Sequence, residues 1–417
     1  MKSLLLVFLT AFAVNAFAGP NRFSIIERGA SGDGVTLNTR AIQATIDLCA
    51  NSGGGFVVVP RGVYLTGALF FKPTVNLLIE RGGILKGTTN QTDYPLVKTR
   101  WEGVDKQWTS ALVNFFGMTN VQLIGDGMID GSGDGWPPLQ VTGAYTQPPT
   151  VGRPRLIAFQ NCANGRVSGL HLKDQACWCV FMVYCSNMTA ENLIIRAAHD
   201  IPSSDGIDID SCSGMHVTGC DIDVNDDCIS IKSGKDEEGR RVNRPCEDIL
   251  IEKTHFGYGH GGVAIGSEVS GGIHRVEVRD CVVDSGNWAP IRFKSQPSRG
   301  GVVEDITYRN IDIRDARQAV DFNMEWRMVP PIAPPANPLT VVRNVKLINL
   351  TGTVRNGGVF HGLKGSPITD VKFVNCRLKA DRGIVMDNTQ DVDTSGLTLE
   401  VKEGTAIVEK KSRASAN

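Results

Sequence analysis

Long apolar runs are absent from this 417-residue chain once its first residues are past. No later stretch reaches the roughly 20 residues that a bilayer span needs. An excess of basic charge is missing too. Against 43 Lys and Arg stand 44 Asp and Glu, a formal net charge of −1, which excludes a generally basic nucleic-acid binder though not a local patch. Aromatic residues are only 7%. None of the 11 cysteines forms a CxxC pair, so a zinc ribbon is not expected. Glycine is plentiful instead, 46 residues or about 11% against a usual ~7%. With 41% hydrophobic and 21% charged residues the chain is globular, and its composition suits many turns and short repeated strands.

The first residues read as a leader. Leu4 to Val14 is apolar and Ala16-Phe17-Ala18 precedes Gly19, which predicts a secretory signal over 1–18 and export of a single domain over 19–417. For an exported protein the odd cysteine count predicts buried thiols with one or two bridges. Asn90, Asn187 and Asn349 begin Asn-x-Ser/Thr triplets.

From about residue 150 the sequence repeats. Short alternating runs begin at Ile157, Val180, Ile207, Ile229, Val263, Ile291, Val320 and Ile384, and the first six starts lie 23, 27, 22, 34 and 28 residues apart. Alternation sends one face in and one face out. An Asn or Asp (Asp280, Asn310, Asn349, Asn375) recurs 9 to 11 residues before the next run. Asn tolerates the left-handed backbone of a sharp corner, and stacked copies can bond along a ladder. Cys162, Cys185 and Cys212 each fall five residues after a run begins, as a stack of small core residues would. Such turns are too short for a four-stranded propeller blade and lack the helices of ankyrin repeats. The pattern predicts an all-β, single-domain parallel β-helix of nine or ten coils.

A stack exposes strand edges at its ends and needs lids. Ala41, Ile42, Thr45, Ile46 and Cys49 have helical spacing and Gly53-Gly54-Gly55 stops it, so a cap helix is predicted inside an N-terminal cap over about 19–60. The polar end, about 402–417, is expected to fray, and the Pro-rich stretch Met328 to Pro338 to form an inserted loop.

One phase of the repeat carries acids. Asp205 and Asp227 stand two positions before their runs; Asp226 and His260 stand three before. Neighbouring strands lie about 4.8 Å apart, so three carboxylates from two coils should meet, with His260 one coil on. The outward strand positions are Asp208, Asp210, Ser230, Lys232, Ala264, Gly266, Arg292 and Lys294, an external face running from acids to cations. Acids catalyse, and the cations suit an anionic substrate. Lys232 is expected to pair with Asp208 and Asp210. Single acids at turns are common, and Asp205-Gly206 alone is a turn signal; a doublet one coil from a third acid at the same phase is more than a corner.

These segments resemble glycoside hydrolase family 28, the polygalacturonases and their relatives. Ser203-Ser204-Asp205-Gly206, Asp226-Asp227-Cys228, Gly259-His260-Gly261 and Arg292-Phe293-Lys294 follow the family's Asn-Thr-Asp, Asp-Asp, Gly-His-Gly and Arg-Ile-Lys in order. Phe256 to Ser267 resembles its histidine signature. The opening from Gly29 through Gly34 to Gly55 resembles the start of many pectin-degrading β-helices. Ser203 and Ser204 depart from the family's Asn-Thr, and Phe293 from its Ile.

The resemblance implies a right-handed, pectin-lyase-like helix and hydrolysis of galacturonan with inversion. Asp226 would be the general acid, Asp205 and Asp227 would activate water, His260 would tune the acid, and Arg292 and Lys294 would bind the galacturonate carboxylate. No metal or cofactor, nucleic acid or membrane span is implied, and a monomer is expected. Glycoside cleavage needs one protonated and one ionised carboxyl, and three crowded acids repel, so one keeps its proton in weak acid. The stretch Gly234 to Val242 resembles exo-acting bacterial and plant-like members, which implies a loop closing one groove end. Trp288 is a candidate to stack on a sugar, Trp326 and Arg327 to border the groove, and His199 to support the acids. Hydrolysis of rhamnogalacturonan or xylogalacturonan, a calcium-dependent lyase using the acids as ligands, and a non-catalytic polysaccharide-binding β-helix remain as alternatives.

Overall fold

In the computed structural model, residues 21–136, 152–284, 286–326 and 333–410 are described. The leader, Arg327 and part of the Pro-rich stretch lie outside them. The alternating runs become one parallel sheet in unbroken register. Val113, Ile157, Val180, Ile207, Ile229, Val263, Ile291, Val320, Gly358, Ile384 and Ile407 are successive partners. Ile207, Ile209, Ile229, Ile231, Val263, Ile265, Ile291 and Phe293 all point into the core. A slip by one residue would turn that whole set outward, so the apolar face fixes the register. Together with the sheets before and after it, this makes a right-handed parallel β-helix.

Inside, like stacks on like. Phe293, Phe322 and Phe360 follow one another at 4.0 and 4.5 Å between centroids. At the corner, Asp280, Asn310, Asn349 and Asn375 are all left-handed. Each Asn amide donates to the carboxylate or amide oxygen of the coil before, at 2.7, 2.8 and 2.9 Å. Asn349, one of the three triplet asparagines, is thereby committed to this ladder. All eleven cysteines are free and buried, so the expected bridges do not form. The thiols serve as small core residues, and the backbone N–H of Cys185 donates to Cys212 Sγ at 3.2 Å.

The cap helix spans Thr39–Asn51 with Ile42, Thr45, Ile46 and Cys49 buried. Gln43 ties it to the first coil, exchanging side-chain hydrogen bonds with the Phe70 backbone. It stops at Gly53 and Gly54, both at positive φ; a Cβ on Gly54 would meet the Thr74 side chain at 2.5 Å. The C-terminal end is more ordered than its polarity suggests: Ile407–Glu409 adds a last strand beside Ile384, and only 411–417 are left outside. Ala336 of the Pro-rich stretch is buried and bonds the Pro297 carbonyl.

Two covers were not expected. Strands Leu96–Trp101 and Val104–Thr109 form an antiparallel hairpin, and the stretch read as an inserted loop is the helix Asp236–Val242. Its acids lie in the first turn and Arg240 and Arg241 in the last, as the helix dipole favours. The helix start meets the hairpin tip, where the Lys235 N–H donates to the Gly103 carbonyl. Asp208, Asp210, Ser230 and Lys232 point away from the core but are buried. The expected external face is therefore interior here, because the apolar alternation that fixes direction says nothing of a second layer outside. No helix among the described residues is long and apolar enough to cross a membrane.

Candidate active site

Ile207 and Ile229 are register partners, which places Asp205 and Asp227 on adjoining rungs. Asp226 precedes Asp227, the first residue of the strand Asp227–Lys232. Each of the three acids offers an oxygen within 4.8 Å of the others. Asp205 and Asp227 are buried, whereas the Asp226 side chain is 28% exposed. Gly261 partners Asp227, so His260 stands beside Asp226, its Nδ1 3.3 Å from Asp226 Oδ1.

The cations reach back to the acids. Lys294 Nζ lies 2.5 Å from Asp227 Oδ2 and Arg292 3.3 Å from Asp227 Oδ1. Arg292 also donates to the His260 carbonyl at 3.0 Å. These positive charges already answer Asp227, which a bound calcium would have to displace.

Burial raises the Asp205 carboxyl well above the ordinary range, reinforced by the charges of Asp208 and Asp226. Burial works against Asp226 as well, but the His260 hydrogen bond and the charges of Lys294, His260 and Arg292 outweigh it and hold that carboxyl low. The same bond raises His260. Asp205 is thus biased toward its protonated form, and Asp226 toward its anion beside a His260 that holds its proton more tightly than usual. The spacing of the acids is shorter than the ~6.5–9.5 Å usual for inverting hydrolases, so distance does not select inversion.

Sequence reasoning missed several neighbours. Asp321 Oδ2 accepts from Trp288 Nε1 at 3.2 Å and lies 3.4 Å from Arg292. Trp326 does border the cleft, its ring 4.6 Å from the Arg292 guanidinium. Lys232 pairs with Asp208 at 3.7 Å and with Glu268 at 3.4 Å, while Asp210 pairs instead with Arg100 of the hairpin at 2.7 Å. His199 stacks on Tyr258 and bonds Asp223; it steadies the neighbouring loop and does not touch the acids directly. Ser204 is buried, and its hydroxyl accepts from the Asn225 N–H.

One rung before Asp205 stands a wall. Trp178 and Arg155 occupy the same phase, two positions before Val180 and Ile157. Trp101 of the hairpin is sandwiched between Trp108 and Trp178 at 4.7 Å each, and Arg155 lies over Phe181 at 4.0 Å. That shared phase was the signal available in the sequence. A concavity of about 570 Å³ lined by Lys86, Asp130 and Lys173 lies elsewhere, away from these acids.

The family model for glycosyl hydrolases family 28 matches residues 49–398. A Vitis vinifera protein named Probable polygalacturonase is 32% identical over 309 residues, 71% of this chain and 61% of its own. The Exo-poly-alpha-D-galacturonosidase of Dickeya chrysanthemi is 26% identical over 74% of this chain and 58% of its own. The matches thus span about three fifths of those two relatives. Among solved structures, the exopolygalacturonase of Thermotoga maritima superposes with a TM-score of 0.78 at 27% identity, covering 95% of this chain and 94% of that one.

Proposed function

The chain belongs to glycosyl hydrolases family 28, and from that premise we propose that it hydrolyses α-1,4-galacturonosyl linkages of pectin with inversion, taking sugar from a chain end. The observation that carries the reading is the triad of carboxylates gathered within 4.8 Å, with Arg292 and Lys294 on one of them. Asp226 is the most exposed of the three and meets the glycosidic oxygen as general acid. To do so it must first gain a proton. A uronate carboxylate bound at Arg292 and Lys294 draws off two of the charges that keep Asp226 ionised, and the protonated His260 beside it is a proton source. The proton on Asp205 passes into this Asp226–His260 pair, which leaves Asp205 and Asp227 as the anions that take a proton from water.

Action from a chain end is supported by the wall. Trp178 and Arg155 stand one and two rungs before Asp205, about 4.8 Å per rung, leaving room for about one sugar on that side. The exo-acting relatives from Dickeya and Thermotoga support the same reading. Export by the apolar leader, and action as a monomer without metal, belong to the proposal; N-terminal sequencing of the mature protein and sedimentation test them.

The test of function is incubation with polygalacturonate. Reducing ends should rise with monomer as the first product, with no ultraviolet-absorbing unsaturated sugar and no effect of chelator. A ladder of oligomers would remove the exo reading, unsaturated product would replace hydrolysis with elimination, and no new ends on any pectic polymer would leave only a binding protein.

A further inference from the structure

Beyond the acids, the side of the stack opposite the wall carries arginines that have no ion pair among the described residues. Trp288, Arg317 and Arg355 each stand three residues before a strand position (Ile291, Val320, Gly358), the place that Asp226 and His260 hold before Ile229 and Val263. Those five strand positions are partners on consecutive rungs. Asp226, His260, Trp288, Arg317 and Arg355 therefore ascend in one file, about 4.8 Å per step. The bridge between Asn287 and Ala316, and the partnership of Ala316 with Val354, fix the phase at the corners.

Trp288 is 37% exposed, with its indole N–H held by Asp321 and the Arg317 guanidinium 5.2 Å from its ring. Arg317 and Arg355 are exposed. The next place in the file, three before Ile384, is Asp381, which pairs with Lys402 at 2.7 Å. The exposed Arg382 stands beside it, opposite Asn356. Among the described residues none of these three arginines forms an ion pair. Elsewhere on the stack, Arg275, Arg279 and Arg343 each have a glutamate at 2.6 to 2.7 Å.

We propose that Trp288, Arg317 and Arg355 form a track for the rest of the polyuronate chain, the part that leaves when the terminal sugar is cut. The indole takes a ring face, and the guanidinium forks take carboxylates of sugars further along. The inference rests on the galacturonan reading for the identity of the polyanion. It adds a direction: with the first side walled, the polymer extends toward the C-terminal coils.

The test compares the wild type, the double variant Arg317→Ala/Arg355→Ala, and Arg377→Ala, an exposed arginine outside the file, on galacturonate oligomers of two to six sugars. The wild type should show kcat/KM rising with length and falling with salt. The double variant should lower the ratio of hexamer to dimer kcat/KM about threefold to tenfold, with a shallower salt dependence, because exposed charge pairs are weak and screened. Electrophoresis in a gel containing polygalacturonate gives a second readout that needs no turnover: the double variant should be retarded less than Arg377→Ala. A length ratio and a gel retardation equal to those of the wild type would overturn the track. If the wild type cut no oligomer, the hydrolase reading would fail, and the gel would still decide whether the file holds a polyuronate.

Discussion

Asp208 offers a measurable consequence of how this site is built. It is fully buried, and neither of its carboxylate oxygens has a hydrogen-bond partner among the described residues. Burial pushes the carboxyl up to about 8 from an ordinary 3.8, with the nearby Lys232 opposing the rise. Between those two pH values the folded protein holds a proton that the unfolded chain has released, so stability falls as pH rises through that window. At about 1.4 kcal/mol per pH unit the loss by pH 7 reaches about 4 kcal/mol, a large share of a typical folding free energy. Asp208→Asn removes the penalty with little change of shape, and Lys232 keeps Glu268 at 3.4 Å. The variant should match the wild type near pH 4 and exceed it by about 2–4 kcal/mol at pH 7 in urea unfolding. Below about 8 Asp208 is uncharged in the wild type as well, so the acidic limb of the activity profile should stay in place in the variant. A variant destabilised at pH 7, or one whose stability difference is the same at pH 4 and 7, would refute the argument.

Other consequences concern the cleft. Asp226→Asn should lower kcat by at least about 10²–10⁴-fold while circular dichroism and unfolding midpoint stay near wild type; activity within tenfold would take the acid role from Asp226. His260 is raised by Asp226, so its protonated form persists above the usual ~6.5 and is lost as pH rises through the higher value. His260→Gln should erase that basic limb of kcat/KM, and an unchanged limb would assign it to another group. Trp178→Ala breaches the wall and should add oligomers to the early products; monomer alone, from a variant shown to be folded, would mean that Trp178 does not close the cleft.

Much of this was legible because a β-helix writes its structure one rung at a time. The starts at Ile157, Val180, Ile207, Ile229, Val263 and Ile291 became partners residue for residue, and the phase of Asp205, Asp226, Asp227 and His260 became proximity. What stayed hidden belongs to the layer outside the repeat. The hairpin Leu96–Trp101 with Val104–Thr109 comes from sequence far upstream, and nothing in the alternation of Asp208 and Asp210 announces that Arg100 will pair with Asp210. Reach was hidden as well: Arg292 and Lys294 lie two rungs beyond Asp227 in phase, yet their long side chains close that gap. The cysteines misled for a different reason. Their number suggested bridges, while their phase, which the structure follows, assigned them to the core.

The most direct measurement is the configuration of the first sugar released from an α-linked galacturonate oligomer, followed by proton NMR in deuterated water before mutarotation. Direct attack of water, activated by Asp205 and Asp227 while Asp226 protonates the leaving oxygen, predicts the β anomer first. Initial release of the α anomer would require a covalent intermediate on one of these acids and would contradict the mechanism assigned to them.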